Sequence, residues 1–238
     1  MTTVLPPVAL EVERETRIYG KTLIARDVSE SDHNAAEALI PEIPPQVSEK
    51  TFGRERQGWL TVSPYLEPEH QLDLESIDTP NRLLAFALTH LQAATPHYAT
   101  VDYNAAFNWE DVMSELKALS AAEGYRWKRK SFYVVEFRSK LKQDIDVDLL
   151  FRLDKESHAE ATASGGLLKY WYGVANSERR NLATCLWRSK EDAVNGGRGP
   201  WHKQAGAAIA QMYEMIDVHG LRLTIEDDVE DWSFGPYH

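Results

Sequence analysis

Hydrophobic and polar residues alternate most regularly between positions 131 and 141, where the chain reads SFYVVEFRSKL. Alternation with a period of two is typical of a β-strand, because successive side chains point to opposite faces. Odd-numbered residues from Tyr133 to Phe137 would lie on one face, and Phe132 and Val134 on the other. The pattern therefore predicts a strand that is apolar on both of its faces.

Two further apolar stretches, 167–174 and 182–188, predict a β-hairpin. The residues that join them, 175–181, include Asn, Ser, Glu and Arg, which favour a turn. Both hairpin strands carry large side chains on each face, so the sheet they belong to should be covered on both sides. Weaker alternation predicts additional strands at 52–65, 98–103 and 221–227.

Apolar residues that recur every three or four positions predict the helices. The clearest helix begins at Thr79 with Pro80 in its first turn, and its apolar stripe from Leu83 to Leu91 leaves His90 outside. Asn108 can cap the next helix, which ends before a glycine. Together the patterns predict helices at 79–94, 109–123, 144–163 and 201–216.

From residue 131 onward the predicted order is strand, helix, strand, strand, helix, strand. This order is the split βαβ arrangement of a ferredoxin-like α+β sandwich, in which helices cover one face of an antiparallel sheet. Residues 1–50, which contain several prolines, would form an N-terminal arm, and residues 51–130 an α/β cover region. The second face of the sheet in 131–238 would be covered either by residues 1–130 or by a second subunit in a homodimer.

The composition narrows the class of partner. Lys and Arg number 26 and Asp and Glu 37, and the resulting net charge of −11 argues against non-specific binding to nucleic acid or to an anionic membrane. The chain has no apolar run long enough to span a membrane and no basic, apolar leader at its start. We therefore expect a soluble cytoplasmic protein whose partners include neither nucleic acid nor a membrane. A small aromatic substrate is expected for a separate reason, the many aromatic side chains of the predicted sheet.

Metal and redox chemistry have no signature in the sequence. Cys185 is the single cysteine, so neither an intrachain disulfide nor a cysteine metal site can form. His and carboxylate residues do not occur at ligand spacing, and the loop NGGRGP at 195–200 lacks the context of a phosphate-binding loop. We expect neither a metal nor another cofactor.

Candidate catalytic residues lie on the elements around the predicted sheet. His158 falls on the sheet-facing side of its helix, where it could act as a general acid or base or serve as a core histidine bonded to a carbonyl. Its neighbour Glu160 is expected to face solvent. Arg188 at a strand end could hold a phenolate or carboxylate of a ligand, or it could be solvated or form an ion pair. Tyr170 could transfer a proton.

Aromatic residues of the hairpin are the candidates for substrate binding, because a mainly apolar pocket with few polar groups is the usual small-molecule site. Each of them could equally be a core residue, and strand alternation keeps Trp171 from facing the same side as both neighbouring tyrosines. The set comprises Trp171, Tyr172 and Trp187, together with His202 at the start of a helix.

Several segments of the sequence resemble those of known protein families. LATCLWRSKEDA at 182–193, then Pro200-Trp201-His202 and LRLTIE at 221–226, resembles dimeric α+β barrel proteins of the antibiotic-biosynthesis-monooxygenase type. TPNRLLAFAL, YATVDYNAAFNW, GYRWKRKSFYVVEFRS, SHAEATASGGLLKYWYG and RNLATCLWRS resemble a fungal family of mostly uncharacterised proteins, over a match from about Thr51 to Trp232.

The second resemblance implies a function, since some members of that family act in polyketide pathways as cofactor-free cyclases. The implied reaction closes an ether ring by adding a phenol to an alkene. A non-catalytic ligand-binding or assembly protein is the first alternative, and a cofactor-free oxygenase acting on an electron-rich substrate is the second. A relative's role in a pathway does not by itself transfer to this chain.

Overall fold

The computed structural model describes residues 58–237, so the predicted N-terminal arm at 1–50 lies outside the described residues. The described part begins with a small antiparallel pair, β1 (Trp59–Thr61) and β2 (Gln71–Asp73). A single turn of 3₁₀ helix, Pro68–His70, leads directly into β2. β1 falls within the predicted strand at 52–65.

The main sheet has five antiparallel strands in the order β4-β5-β3-β6-β7. Along the chain the strands come in the order β3, β4, β5 and β6, and in the sheet they lie in the order β4-β5-β3-β6. This is the strand order of a split βαβ sandwich, so the predicted ferredoxin-like α+β fold is confirmed. The strands are β3 (Lys130–Leu141), β4 (Leu167–Tyr172), β5 (Arg180–Trp187), β6 (Tyr213–Ile225) and β7 (Trp232–Pro236).

The structure confirms the predicted helices at 109–123 and 144–163 to within three residues at each end. The first predicted helix, 79–94, is too long, because the α-helix ends at Ala87 and a 3₁₀ turn, Leu88–His90, follows it. In this segment the leucines and alanines of the stripe are buried and His90 is exposed, as its position outside the stripe predicts. The helices are α1 (Thr79–Ala87), α2 (Tyr103–Ala106), α3 (Trp109–Ala122), α4 (Val147–Ser164), α5 (Lys190–Gly196) and α6 (Pro200–Met212). None of these described helices is long and apolar enough to cross a membrane.

The predicted strand at 98–103 is wrong. This segment is a series of turns that leads into α2. Its backbone oxygens are bound by a side chain instead of a neighbouring strand, since Arg138 Nη1 donates to Ala99 O at 3.0 Å and Nη2 donates to Val101 O at 2.6 Å. Alternation in so short a segment could not distinguish these two arrangements.

The predicted helix at 201–216 is too long. The helix α6 ends at Met212, and β6 begins at Tyr213 and runs to Ile225, pairing with β3 along nearly its whole length. In the sequence, apolar residues at helical spacing continue past Met212. In the structure, the residues after Met212 form β6, which hydrogen-bonds to the edge of β3 that β5 leaves free. The pairing partner, which is distant in sequence, decides the conformation.

One face of the sheet is covered by residues of the same chain. Leu84 and Leu88 of the first helical segment and Val112 and Leu116 of α3 have no exposed surface, and they belong to one core cluster with side chains of the sheet. The sheet contributes residues such as Phe132, Val134, Leu168, Leu182, Leu186 and Leu223. The predicted homodimer is therefore not needed to cover this face and stays a prediction.

The second face carries α4, α5 and α6. Leu153 of α4 packs with Ala208 and Met212 of α6, so the two long helices contact each other. The tail docks on the opposite face, as its aromatic content predicts. There the ring centroid of Phe234 in β7 lies 4.9 Å from that of Trp109.

The basic side chains at 126–130 are paired with acidic residues. The ion-pair distance is 3.4 Å from Arg126 to Asp228, 3.7 Å from Lys128 to Asp227 and 2.9 Å from Arg129 to Glu226. These pairs are largely exposed and contribute little to stability. The basic side chains are therefore already paired with carboxylates and do not offer unpaired positive charge to an anion.

Candidate functional site

A half-buried carboxyl group lies between the helix α4 and the sheet. Asp154 accepts hydrogen bonds from two tyrosines, with Tyr65 Oη donating to Oδ2 and Tyr170 Oη donating to Oδ1. Tyr65 comes from the segment between β1 and β2, and Tyr170 from β4. Three elements that are distant in sequence thus meet at one acidic side chain.

The environment favours the neutral form of this acid. Burial raises the pKa of Asp154 above its ordinary value, because the charged carboxylate loses hydration, although the two tyrosine hydrogen bonds and the nearby His202 oppose that shift. Burial, followed by the charge of Asp154, also raises the pKa of Tyr65 and of Tyr170. The three groups therefore hold their protons more tightly than they would in water.

A pair of histidines contacts the same two tyrosines. His70 Nδ1 and His158 Nδ1 are 2.8 Å apart, and their ring centroids are 5.0 Å apart. A hydrogen bond between two ring nitrogens requires one to donate and the other to accept, so at least one ring is neutral. The ring of His158 also lies 5.2 Å from that of Tyr170 and 5.4 Å from that of Tyr65.

His158 is a neutral imidazole at physiological pH. Burial, and after it the neighbouring His70 and His202, lowers the pKa of His158 to about 3. The side chain is 4% exposed, and its Nε2 atom is buried without a hydrogen-bond partner among the described residues. An unpartnered buried polar atom costs about 1–3 kcal/mol, and such an atom in a cleft is a candidate contact for a ligand.

The helices leave part of the sheet open beside this cluster. Val135 and Cys185 on the central strands are only half-buried, and Asp154 itself keeps some exposed surface. Burial and then the charge of Asp154 raise the pKa of the Cys185 thiol and of Tyr172. The same two causes raise the pKa of Tyr213 to about 12. Asp154 therefore lies in a partly open region of this face, among rings and apolar side chains, which we call the Asp154 groove.

The segment that carries Tyr65 forms one wall of the groove and is fastened to α4. Lys155 on α4 forms an ion pair with Glu67, and its Nζ lies 5.9 Å from the centroid of the Tyr65 ring. These contacts are near the surface. They hold Tyr65 over Asp154 without closing the groove.

The structure brings three of the sequence-predicted site residues together in this groove. They are His158, Tyr170 and Tyr172, and the ring centroids of the two tyrosines are 5.7 Å apart. Trp187 belongs to the same apolar cluster as Tyr170 and packs against Gly196, so it supports the wall of the groove. The roles assigned to these residues stay predictions.

Arg188 and His202 are bound to other residues. Arg188 forms a bidentate ion pair with Asp192, at 2.7 and 2.9 Å, and this pair lies at the end of β5. His202 Nδ1 lies 3.0 Å from a carboxylate oxygen of Glu160. Glu160 also accepts from the backbone amides of Trp201 and His202, so the expectation that it faces solvent is wrong.

Trp171 lies on the opposite face of the sheet and is 4% exposed. Its ring meets those of Tyr98 and Phe107 edge to face, with centroids 5.4 and 4.9 Å away. A ring in that position forms part of the core under the cover and does not line the Asp154 groove. Its predicted part in substrate binding is not supported by this placement.

A cavity does lie beneath the cover, but it is not the aromatic one that the sequence predicts. Its volume is about 440 Å³, and it lies between the turns at 99–103 and the strands β3 and β6. Most of the residues that line it are polar or charged, and none of them is a sequence-predicted site residue. Within residues 58–237, no three His, Cys, Asp or Glu side chains come close enough to hold a metal ion.

The sequence interpretation missed Asp154, Tyr65 and His70. Asp154 could have been found, because the helical pattern places it on the same side as His158, one turn earlier. A carboxylate on the inward side of a helix needs a hydrogen-bond or charge partner, so its position in the sequence indicates a possible polar site. Tyr65 and His70 lie in irregular backbone, where no periodicity indicates which way a side chain points.

Comparison with known proteins identifies relatives over most of the chain. The PB2B2.08-like family model matches residues 61–236. The UPF0643 protein PB2B2.08 of Schizosaccharomyces pombe is 32% identical over 212 residues, which cover 86% of this chain and 94% of the relative.

A solved structure is also similar. The "Putative antibiotic biosynthesis monooxygenase" from Nitrosomonas europaea aligns with 38% of this chain and 86% of its own, at 13% identity and a TM-score of 0.33. The fold assignment above rests on the strand order of the sheet and does not depend on this likeness. The family match and the curated relative together show that the chain belongs to the PB2B2.08-like family.

Proposed function

We propose that this protein is a cofactor-free enzyme that transfers protons on a small phenolic molecule in the Asp154 groove. The observation that carries the proposal is the half-buried acid Asp154, held by Tyr65 and Tyr170, which also contact a neutral His158 with an unpartnered Nε2. Groups whose pKa values are shifted in opposite senses within one cleft are typical of acid–base catalysis. Asp154 and His158 fit that description.

The reaction we infer is the addition of a phenol to an alkene within one molecule. Asp154 donates its proton to one alkene carbon, and the other carbon becomes electron-deficient. The phenol oxygen bonds to that carbon, and the phenol proton returns to the Asp154 carboxylate. One C–H and one C–O bond form, the O–H bond and the π bond break, and the acid is regenerated without any oxidant or cofactor.

The surrounding side chains can stabilise the positive charge that develops on the alkene carbon. Faces of aromatic rings attract a cation by about 0.5–2 kcal/mol, and Tyr65, Tyr170 and Tyr172 surround the acid. The neutral ring of His158 can accept a hydrogen bond from the phenol at Nε2 once that nitrogen is unprotonated. The proposed substrate is a prenylated phenol of the kind made in fungal polyketide pathways, which implies a cytoplasmic enzyme.

The test is incubation of the purified full-length chain with a set of prenylated phenols, followed by mass spectrometry of the products. We expect an isomer of unchanged mass in H₂O, and in D₂O the same product with one deuterium on carbon that does not wash out. The deuterium reports that a solvent-exchanged acid protonated the alkene. Reactions without protein measure the background rate.

Two other results would each replace the proposal. Incorporation of ¹⁸O from labelled O₂ would identify a cofactor-free oxygenase. Binding of phenols without any turnover would identify a ligand-binding protein. Catalysis by adventitious metal is controlled by repeating the assay with a chelator.

A further inference from the structure

A cavity of about 440 Å³ lies on the face of the sheet opposite the Asp154 groove. Its floor is formed by β3 and β6, and its roof by the turns at 99–103. The size falls in the range of about 300–1,000 Å³ that is usual for small-molecule sites. Because the sheet separates the cavity from Asp154, a ligand here would not occupy the proposed proton-transfer site.

The floor holds a charge pair that is already neutralised. Glu136 is 5% exposed, and its Oε1 accepts from Arg138 Nε at 2.6 Å. The other two nitrogens of that guanidinium donate to the carbonyls of Ala99 and Val101 in the roof. Each nitrogen of this guanidinium therefore already donates a hydrogen bond within the chain, and Arg138 fixes the roof to the floor. Arg180, which also lines the cavity, is paired with Glu178 at 3.2 Å.

The second oxygen of Glu136 retains capacity for a donor. Its contact is His219 Nδ1, at 3.4 Å, which is longer than a normal hydrogen bond. His219 lies opposite Glu136 in the strand pairing and is largely exposed at the rim. A hydroxyl group placed between them could donate to the carboxylate and contact the imidazole at the same time.

The other walls restrict the ligand further. Asp102 and Asp217 add negative charge at the rim, which disfavours an anion. The Glu136–Arg138 pair is charge-compensated, so a cation at the floor would have no unpaired counter-charge there. Tyr103 and Met215 supply apolar surface for a carbon skeleton.

We propose that this cavity is a second ligand site that takes an uncharged, polyhydroxylated small molecule. Its anchor is the free acceptor of Glu136, with His219 beside it, and the apolar walls contact the ligand's frame. Flat phenolic diols and puckered polyols share this chemistry. The site is independent of turnover at Asp154.

The test is a ¹H–¹⁵N NMR titration of the full chain with four probes of similar size. Catechol and myo-inositol are uncharged and hydroxylated, whereas benzoate and benzylamine are charged comparators. We expect catechol, myo-inositol or both to shift amide signals of β3 and β6 around Glu136 and Asp217. The probe that acts distinguishes the flat from the puckered class.

Two variants locate the effect. Glu136→Gln should weaken the titration at least about 10-fold, the loss expected for a hydrogen bond to a charged acceptor. Since that change also disturbs Arg138, Met215→Trp fills the cavity without touching the ion pair and should abolish the shifts in a folded protein. Shifts caused by benzylamine or benzoate alone, shifts that survive in Met215→Trp, or no shifts at β3 and β6 with any probe would overturn the proposal.

Discussion

Replacing Asp154 by Asn should lower the turnover of a prenylated phenol by roughly 10²–10⁴-fold, the usual contribution of a general acid. The amide keeps the size of the side chain and can still accept from Tyr65 or Tyr170, but it has no acidic proton to give to an alkene. The measurement is the initial rate of isomer formation, with the far-UV circular dichroism spectrum recorded to show that the fold is retained.

The matched control is Asp144→Asn, which makes the same chemical change at an exposed position before α4. Its rate should equal that of the natural protein. A rate for Asp154→Asn within about twofold of the control would remove Asp154 from the reaction. Tyr170→Phe separates the two effects further, because it removes one hydrogen bond from the acid and leaves its proton in place.

Replacing Trp171 by Ala should lower the free energy of unfolding by about 3–5 kcal/mol, the usual range for a large aromatic residue in a core. Its ring is 4% exposed and packs edge to face on Tyr98 and Phe107 under the cover, so truncation leaves a void that these rings cannot refill. The corresponding fall in melting temperature is roughly 10 °C for a chain of this size.

Trp201→Ala is the control for this change, since Trp201 is half-buried at the start of α6 and should cost less. The result also decides between two interpretations of Trp171. A variant with unchanged stability that no longer binds a phenol would restore Trp171 as a substrate-binding residue and would contradict its place in the core.

The fold could be predicted from the sequence because its main elements have strong local signals. Alternation from Phe132 to Phe137 indicates β3, and the stripe from Leu83 to Leu91 indicates α1 and the turn after it. The prediction failed where a partner distant in sequence decides the conformation. Arg138 holds the turns at 99–103, and pairing with β3 makes a strand of the residues after Met212.

The candidate site could be predicted only in part. His158 and Tyr170 lie on regular elements, where periodicity indicates the direction of a side chain, and the structure places both in the Asp154 groove. Tyr65 and His70 lie in irregular backbone whose path depends on tertiary contacts. For Arg188 the structure shows the ion pair, which was one of the alternatives, and its carboxylate partner Asp192 lies four residues further on.

The proposed proton transfer depends on one property of the protein, the raised pKa of the Asp154 carboxyl. Because the folded pKa lies above the unfolded one, stability from this group is present at low pH and is lost as pH rises through the folded pKa. The Asp154→Asn variant should not show this loss of stability as pH rises, because the amide does not titrate. Comparison of thermal unfolding at several pH values would detect the difference.

The most direct measurement is an NMR titration of the side-chain carboxyl carbons in protein labelled with ¹³C at aspartate, with Asp154→Asn used to assign the signal. We expect the Asp154 carboxyl to take up its proton at a clearly higher pH than an ordinary aspartate, whose pKa is about 3.9. An Asp154 signal that titrates at or below that ordinary value would contradict the proposed acid and with it the proton-transfer function.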